Sequence, residues 1–70
     1  MTDTGTFLER LQIEYNDLSK RIAVLSVFMA GPRYHECSGL QKDLMRIQLN
    51  AMSTYAEILF QRLNHLKGIG

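Results

Sequence analysis

The stretch from Leu44 to Leu66, LMRIQLNAMSTYAEILFQRLNHL, leaves little freedom in what this chain can fold into. Met45, Leu49, Met52, Ala56, Leu59, Leu63 and Leu66 recur at alternating steps of four and three, the repeat of an apolar helical seam. At about 100° per residue, Leu44, Ala51, Tyr55 and Ile58 form a second stripe on one flank of that seam, and Phe60 lies on the other. The apolar arc therefore spans roughly 200°, about twice what a helix needs against one partner helix. Several neighbours must cover it at once, and a chain of 70 residues is too short to supply them all. Other copies of the chain, or a partner, supply the rest, which places function between chains.

Seventy residues make one small domain, 1–70. A domain of this size buries too little surface alone and usually needs staples or partners. Cys37 is the one cysteine, so no intrachain disulfide forms. That usage fits a reducing cytosol or nucleus. The N-terminal MTDTGT is polar and lacks the basic start of a signal peptide. The longest apolar run, IAVLSVFMAG, is far short of the roughly 20 residues of a bilayer span. Eight Lys plus Arg against seven Asp plus Glu give a net charge of +1. That is no electrostatic footprint for a DNA or RNA duplex or for an anionic membrane. A small anionic ligand needs only a few local cations, and the charge balance permits one.

In chain order, Met1 to Gly5 reads as a frayed tail. Thr6 and Glu9 have the capping-box spacing, which starts a first helix at Thr6. Leu8, Leu11, Tyr15, Leu18, Ile22, Leu25 and Met29 then repeat at three and four, the period of the second helix. Arg10 with Glu14 and Asp17 with Arg21 stand at the four-residue spacing that supports an exposed helix face. Gly31 is expected as a C-cap, and Pro32 cannot continue the helix. RYHEC, residues 33–37, reads as a polar connector. Ser38 and Gln41 make a second capping box that opens the long helix, and Gly68 and Gly70 close it.

Two heptad-patterned helices, near 6–30 and 39–67, joined by a short connector predict an all-α, antiparallel two-helix hairpin. Each helix is a rod of roughly 37 Å. Folding back about the connector sets Tyr15 near Ala56, a large residue opposite a small one. Ile13, Val24, Val27 and Phe28 on the first helix, with Phe60 and the Tyr55 stripe on the second, stay outside the seam. That much wet apolar surface is unusual for a monomer, so the hairpin is expected to assemble into a homo-oligomeric helical bundle.

Enzymatic constellations are scarce, and the chain does not read as an enzyme. His35, Glu36 and Cys37 share one loop, but His65 falls at the far end of the hairpin, which argues against a metal site. His35 and Cys37, two apart in a loop, give no defined nucleophile–base geometry. The five glycines sit at termini and caps, without a phosphate-cradling loop, and no cofactor is implied. The polar residues inside the apolar arcs are more informative. Gln48, Tyr55 and Arg62 are spaced seven apart beside the seam of the second helix, as are Phe7, Glu14, Arg21 and Phe28 on the first, with Arg10 near the Arg21 side. Guanidinium groups beside aromatic rings suit a phosphate with an attached base, through charge-assisted forks and stacking. The competing reading is an interface ion pair, with Arg62 reaching Glu14 or Asp17 of a neighbour.

The pattern F-L-E-R-L-x-x-E-x-x-x-L-x-x-R-I-x-x-L-x-x-F-M, Phe7 to Met29, is followed after the turn by L-M-x-x-Q-L-x-x-M-x-x-Y-x-x-I-L-x-x-R-L, Leu44 to Leu63. Together they resemble the helical-hairpin domain shared by phage anti-CBASS and anti-Thoeris sponge proteins, over nearly the whole chain. Much of the pattern is heptad hydrophobicity; the Q-L-x-x-M-x-x-Y-x-x-I-L-x-x-R run is its more diagnostic part. The connector AGPRYHECSG departs from the acidic connectors of that family. The resemblance implies a cytoplasmic protein, in the host cell if the chain is viral, that forms a homo-oligomer, typically a hexamer. It also implies sequestration of cyclic oligonucleotide or cyclic ADP-ribose-type immune signals at subunit interfaces, without cleavage. The positions matching the motif that are expected to bind ligand are Phe7, Arg10, Arg21 and Arg62. The alternative is a helical-hairpin oligomerisation or protein-interaction module with no small-molecule site, in which Arg21 and Arg62 pair with carboxylates.

Overall fold

The computed structural model describes the backbone of residues 3–69 and the side chains of residues 6–68. Two long helices, α1 (Asp3–Ala30) and α2 (Gly39–Ile69), flank a short 3-10 helix, Pro32–Glu36. All regular structure among the described residues is helical. α1 and α2 pack antiparallel into a rod of 51 × 15 × 14 Å.

The seam packs as its spacing requires. Leu11, Leu18, Leu59 and Leu63 are buried, and Leu8, Tyr15, Ile22, Met52, Ala56 and Leu66 pack partly buried against them. Tyr15 and Ala56 line one groove, as large-opposite-small packing predicts, and the Tyr15 ring also lies 6.0 Å from that of Phe60. The residues expected outside the seam are exposed: Ile13, Val24, Val27, Phe28, Leu44, Tyr55, Ile58 and Phe60.

The helix ends differ from the sequence expectation at three places. α1 begins at Asp3, so Thr6 lies inside the helix rather than capping it, and Asp3–Gly5 are helical rather than frayed; Met1 and Thr2 lie outside the described residues. No proline stands between Asp3 and Thr6 to forbid helical backbone. Gly31 has φ −93° and ψ 172°, not the left-handed C-cap conformation. Its N–H donates to the Phe28 carbonyl at 3.1 Å, and the chain runs directly into the Pro32-led 3-10 turn. α2 continues through Gly68 to Ile69; Gly70 lies outside the described residues. Neither Arg10 with Glu14 nor Asp17 with Arg21 closes an ion pair. Among the described residues, Arg46–Asp43 at 2.8 Å is the salt bridge within 4.0 Å. Four-residue spacing permits such a pair, but an exposed pair gains too little to fix two long side chains.

The connector is a hydrogen-bonded turn without buried residues. Tyr34 N–H donates to the Gly31 carbonyl at 3.3 Å, and Cys37 N–H to the Tyr34 carbonyl at 3.1 Å. The half-buried Cys37 thiol points to the Arg33 carbonyl at 3.7 Å. Lys42, in the first turn of α2, sets its ammonium 5.6 Å from the Tyr34 ring centroid and ties the turn to the helix. The Ser38 cap forms as its spacing predicts: Gln41 N–H donates to Ser38 Oγ at 3.1 Å. Ser38→Ala is expected to cost about 1 kcal/mol, read as a lowered midpoint in urea unfolding, with the helical spectrum unchanged.

Candidate functional site

The turn fixes which rows of the two helices meet. Packed antiparallel, the row Phe7, Glu14, Arg21, Phe28 runs beside the row Arg62, Tyr55, Gln48 along one flank of the rod. Phe7 meets Arg62 at the open end, Glu14 faces Tyr55 at mid-length, and Arg21 lies beside Gln48 towards the turn. Three open grooves follow one another along this flank.

At the open end the guanidinium carbon of Arg62 stands 5.6 Å from the Phe7 ring centroid. That is cation–π distance. Among the described residues Phe7, Ile58, Gln61, Arg62, His65 and Leu66 line this groove, with no carboxylate. Gln61 is engaged through its side-chain amide, which donates to Glu57 Oε2 at 2.9 Å. Arg62 is the fixed cation of this end, already resting on an aromatic face.

At mid-length, Arg10, Ile13, Glu14, Asp17, Leu18, Arg21 and Tyr55 line the second groove. Arg10 and Arg21 share it, as the helix phase predicts, but two carboxylates stand between them. Arg21 also borders the third groove, of about 620 Å³, with Lys20, Val24, Phe28, Gln48 and Met52. This volume is within the roughly 300–1,000 Å³ of small-molecule sites, and the groove combines two cations with an aromatic ring. All three grooves open to solvent along their length.

Of the four residues expected to bind ligand, Phe7 and Arg62 meet in one groove and Arg10 and Arg21 in the next. No single groove holds all four. Phe7 and Arg21 are two heptads apart on α1, a rise of roughly 21 Å, so Arg62 and Arg21 of one hairpin do not reach the same phosphate. Neither arginine has a carboxylate within 4.0 Å among the described residues.

Sequence reading missed Lys20 and His65 as groove residues. Tyr55 was legible as a member of the Gln48, Tyr55, Arg62 row and of an apolar stripe, but was not named as a ligand contact. His65 had no visible partner until the hairpin set the end of α2 against the start of α1. The opposite flank carries a different chemistry: Tyr15, Ser19, Ile22, Ser53, Ala56, Glu57 and Phe60 line a groove without a cation. Arg10, Arg21 and Arg62 thus line the grooves of one flank, and no arginine lines the groove of the other. Among the described residues no cluster of three or more His, Cys, Asp or Glu converges as metal ligands. No described helix is long and apolar enough to cross a membrane.

No curated protein and no solved structure matches the chain. A family model does: it matches residues 5–65, which includes both rows of the arginine-bearing flank, the turn between them and the seam beneath. The chain belongs to the Sequestin family.

Proposed function

We propose that this protein is a phage anti-defence sponge. Its hairpins assemble into a homo-oligomer, with a hexamer favoured, that captures cyclic oligonucleotide or cyclic ADP-ribose-type immune signals between subunits and does not cleave them. Capture lowers the free signal by mass action in the cytoplasm, the host's if the chain is viral, so the effector that reads the signal stays inactive. The family name, Sequestin, supports sequestration over catalysis. The observation that carries the ligand class is the Arg62 guanidinium resting on the Phe7 ring in a groove that no carboxylate lines among the described residues. A fixed cation beside a π face offers a phosphate its fork and a base its stacking platform. Because the grooves of one hairpin are open, a second hairpin is needed to enclose the ligand, consistent with capture between subunits.

The mid-length groove favours a second reading at one point. Glu14 and Asp17 lie between Arg10 and Arg21, a charge pattern suited to reciprocal ion pairs with a neighbouring hairpin. In a pure interaction module these pairs would be the whole purpose of the flank.

A thermal-shift panel of cyclic di- and trinucleotides and cyclic ADP-ribose isomers separates the two. A ligand that binds only the native state raises the melting temperature by mass action, about 2.7 kcal/mol of added stability at a hundredfold excess over Kd. At least one compound is expected to shift the midpoint, and to be recovered chemically unchanged after the complex is denatured. A flat panel would leave the interaction module as the function, and a cleaved product would make the protein an enzyme.

A further inference from the structure

The groove at the open end holds a titratable group that the arginine–aromatic pair does not use. His65 is exposed and lines the same groove as Phe7 and Arg62, three residues beyond Arg62 on α2. Residues at that spacing share a helix face, with Cβ atoms about 5–6 Å apart, so one phosphate group can accept hydrogen bonds from both. Arg62 is a cation at every working pH and contributes equally across it. Imidazole is the side chain whose ordinary titration falls between pH 5 and 8, and an anion held against it favours the charged ring.

We infer that His65 is the second ligand contact of the open-end groove, and that capturing an anionic signal there takes up a proton. The neutral ring accepts a proton from solvent at its free nitrogen, and the resulting imidazolium donates to a phosphate oxygen beside the Arg62 fork. No bond of the ligand is broken. The inference rests on the capture reading above and adds its regulation by pH.

The charged groups around His65 leave this role open to it. On α2, Arg62 shares the groove, Lys67 follows in the last turn, and Glu57 is held by the Gln61 amide and lines the opposite flank. On α1, Phe7 is the residue that enters the groove. Glu9 and Arg10 follow it in sequence and do not line this groove, while Asp3 starts the helix seven residues before Arg10. Asp3 stands four positions before Phe7 in the sequence, and its variant belongs in the test.

The experiment is calorimetry with cyclic di-GMP, cyclic tri-AMP and cyclic ADP-ribose at pH 5.5 and 8, on wild type, His65→Gln and Asp3→Asn. Wild type and Asp3→Asn are expected to bind about tenfold more tightly at pH 5.5, the ratio that follows when the anion favours the protonated ring by one pH unit. His65→Gln keeps a hydrogen-bond donor without the charge and is expected to bind with equal affinity at both values. The chain has two histidines, and His35 in the turn is an internal reference at the other end of the rod. By NMR, saturating ligand is expected to keep the His65 ring protonated to higher pH and to leave the His35 titration unmoved. Binding with the same pH ratio in wild type and His65→Gln overturns the inference and leaves capture standing. No binding by any of the three compounds in wild type overturns both.

Discussion

Arg62→Ala is expected to weaken capture of the signal by about 2 to 4 kcal/mol, roughly thirty- to a thousandfold in Kd, the range for truncating one member of a desolvated charge-assisted pair. The guanidinium already stands over the Phe7 ring, so its orientation is largely set before the ligand arrives, and less ordering entropy is lost on binding. Arg62→Lys is expected to fall between wild type and alanine, because an ammonium keeps the charge but loses the planar, bidentate fork. Phe7→Leu removes the π face and keeps an apolar side chain, and is expected to cost about 0.5 to 2 kcal/mol of affinity. None of these variants should unfold the hairpin, since Arg62 and Phe7 flank the seam rather than fill it. Calorimetry on the set, with the circular-dichroism spectrum of each variant, checks both statements. Equal affinity in wild type and Arg62→Ala would remove Arg62 from the site and return the flank to the ion-pair reading.

The seam was legible because it is periodic, and periodicity is the one signal that a helix transmits from sequence to structure without knowledge of anything distant. Leu11, Leu18, Leu59 and Leu63 are buried because their spacing puts them on one line of their helix. The helix ends were legible only in part. Capping contributes about 1 kcal/mol, enough to place Ser38 but too little to stop α1 at Thr6 when the residues before it can continue the helix. Nor does the composition of RYHEC reveal that its backbone bonds close a 3-10 turn, or that Lys42 and Tyr34 hold that turn against α2.

The site was legible as two rows and not as a site. Phe7, Glu14, Arg21 and Phe28, like Gln48, Tyr55 and Arg62, declare a shared helix face by their spacing alone. Which residue of one row meets which of the other depends on the register set by the turn, to which the heptad is blind. A slip of one heptad between the helices would have put Arg62 beside Glu14, and the ion-pair reading would then have been the natural one. The actual register gives Arg62 an aromatic ring and Arg21 a glutamine.

Val24→Glu is expected to dissolve the assembly and to lower stability with it. Within a single hairpin Val24 is 71% exposed, and a charge at so open a position would shift stability by no more than about 0.5 kcal/mol. In an oligomer that uses this flank, the same carboxylate becomes a buried, unpartnered charge, costing about 3 to 5 kcal/mol at each copy of the site. Surface area points the same way. The hairpin exposes 5274 Å², against the roughly 4,450 Å² expected of a compact monomer of 8.0 kDa. The excess is about the 800 Å² that one partner contributes to a stable interface. Val24 is a sharper test than Phe60, whose ring also packs against Tyr15 at 6.0 Å, so that a charge there would damage the hairpin itself. Sedimentation at micromolar concentration is expected to give a species several times 8.0 kDa for wild type and a shift towards the single chain for Val24→Glu. The wild-type melting temperature should rise with protein concentration, since dissociation accompanies unfolding. A wild-type hairpin that sediments as a well-folded monomer, with a melting temperature independent of concentration, would mean that the exposed apolar flank is covered by a different protein or by none.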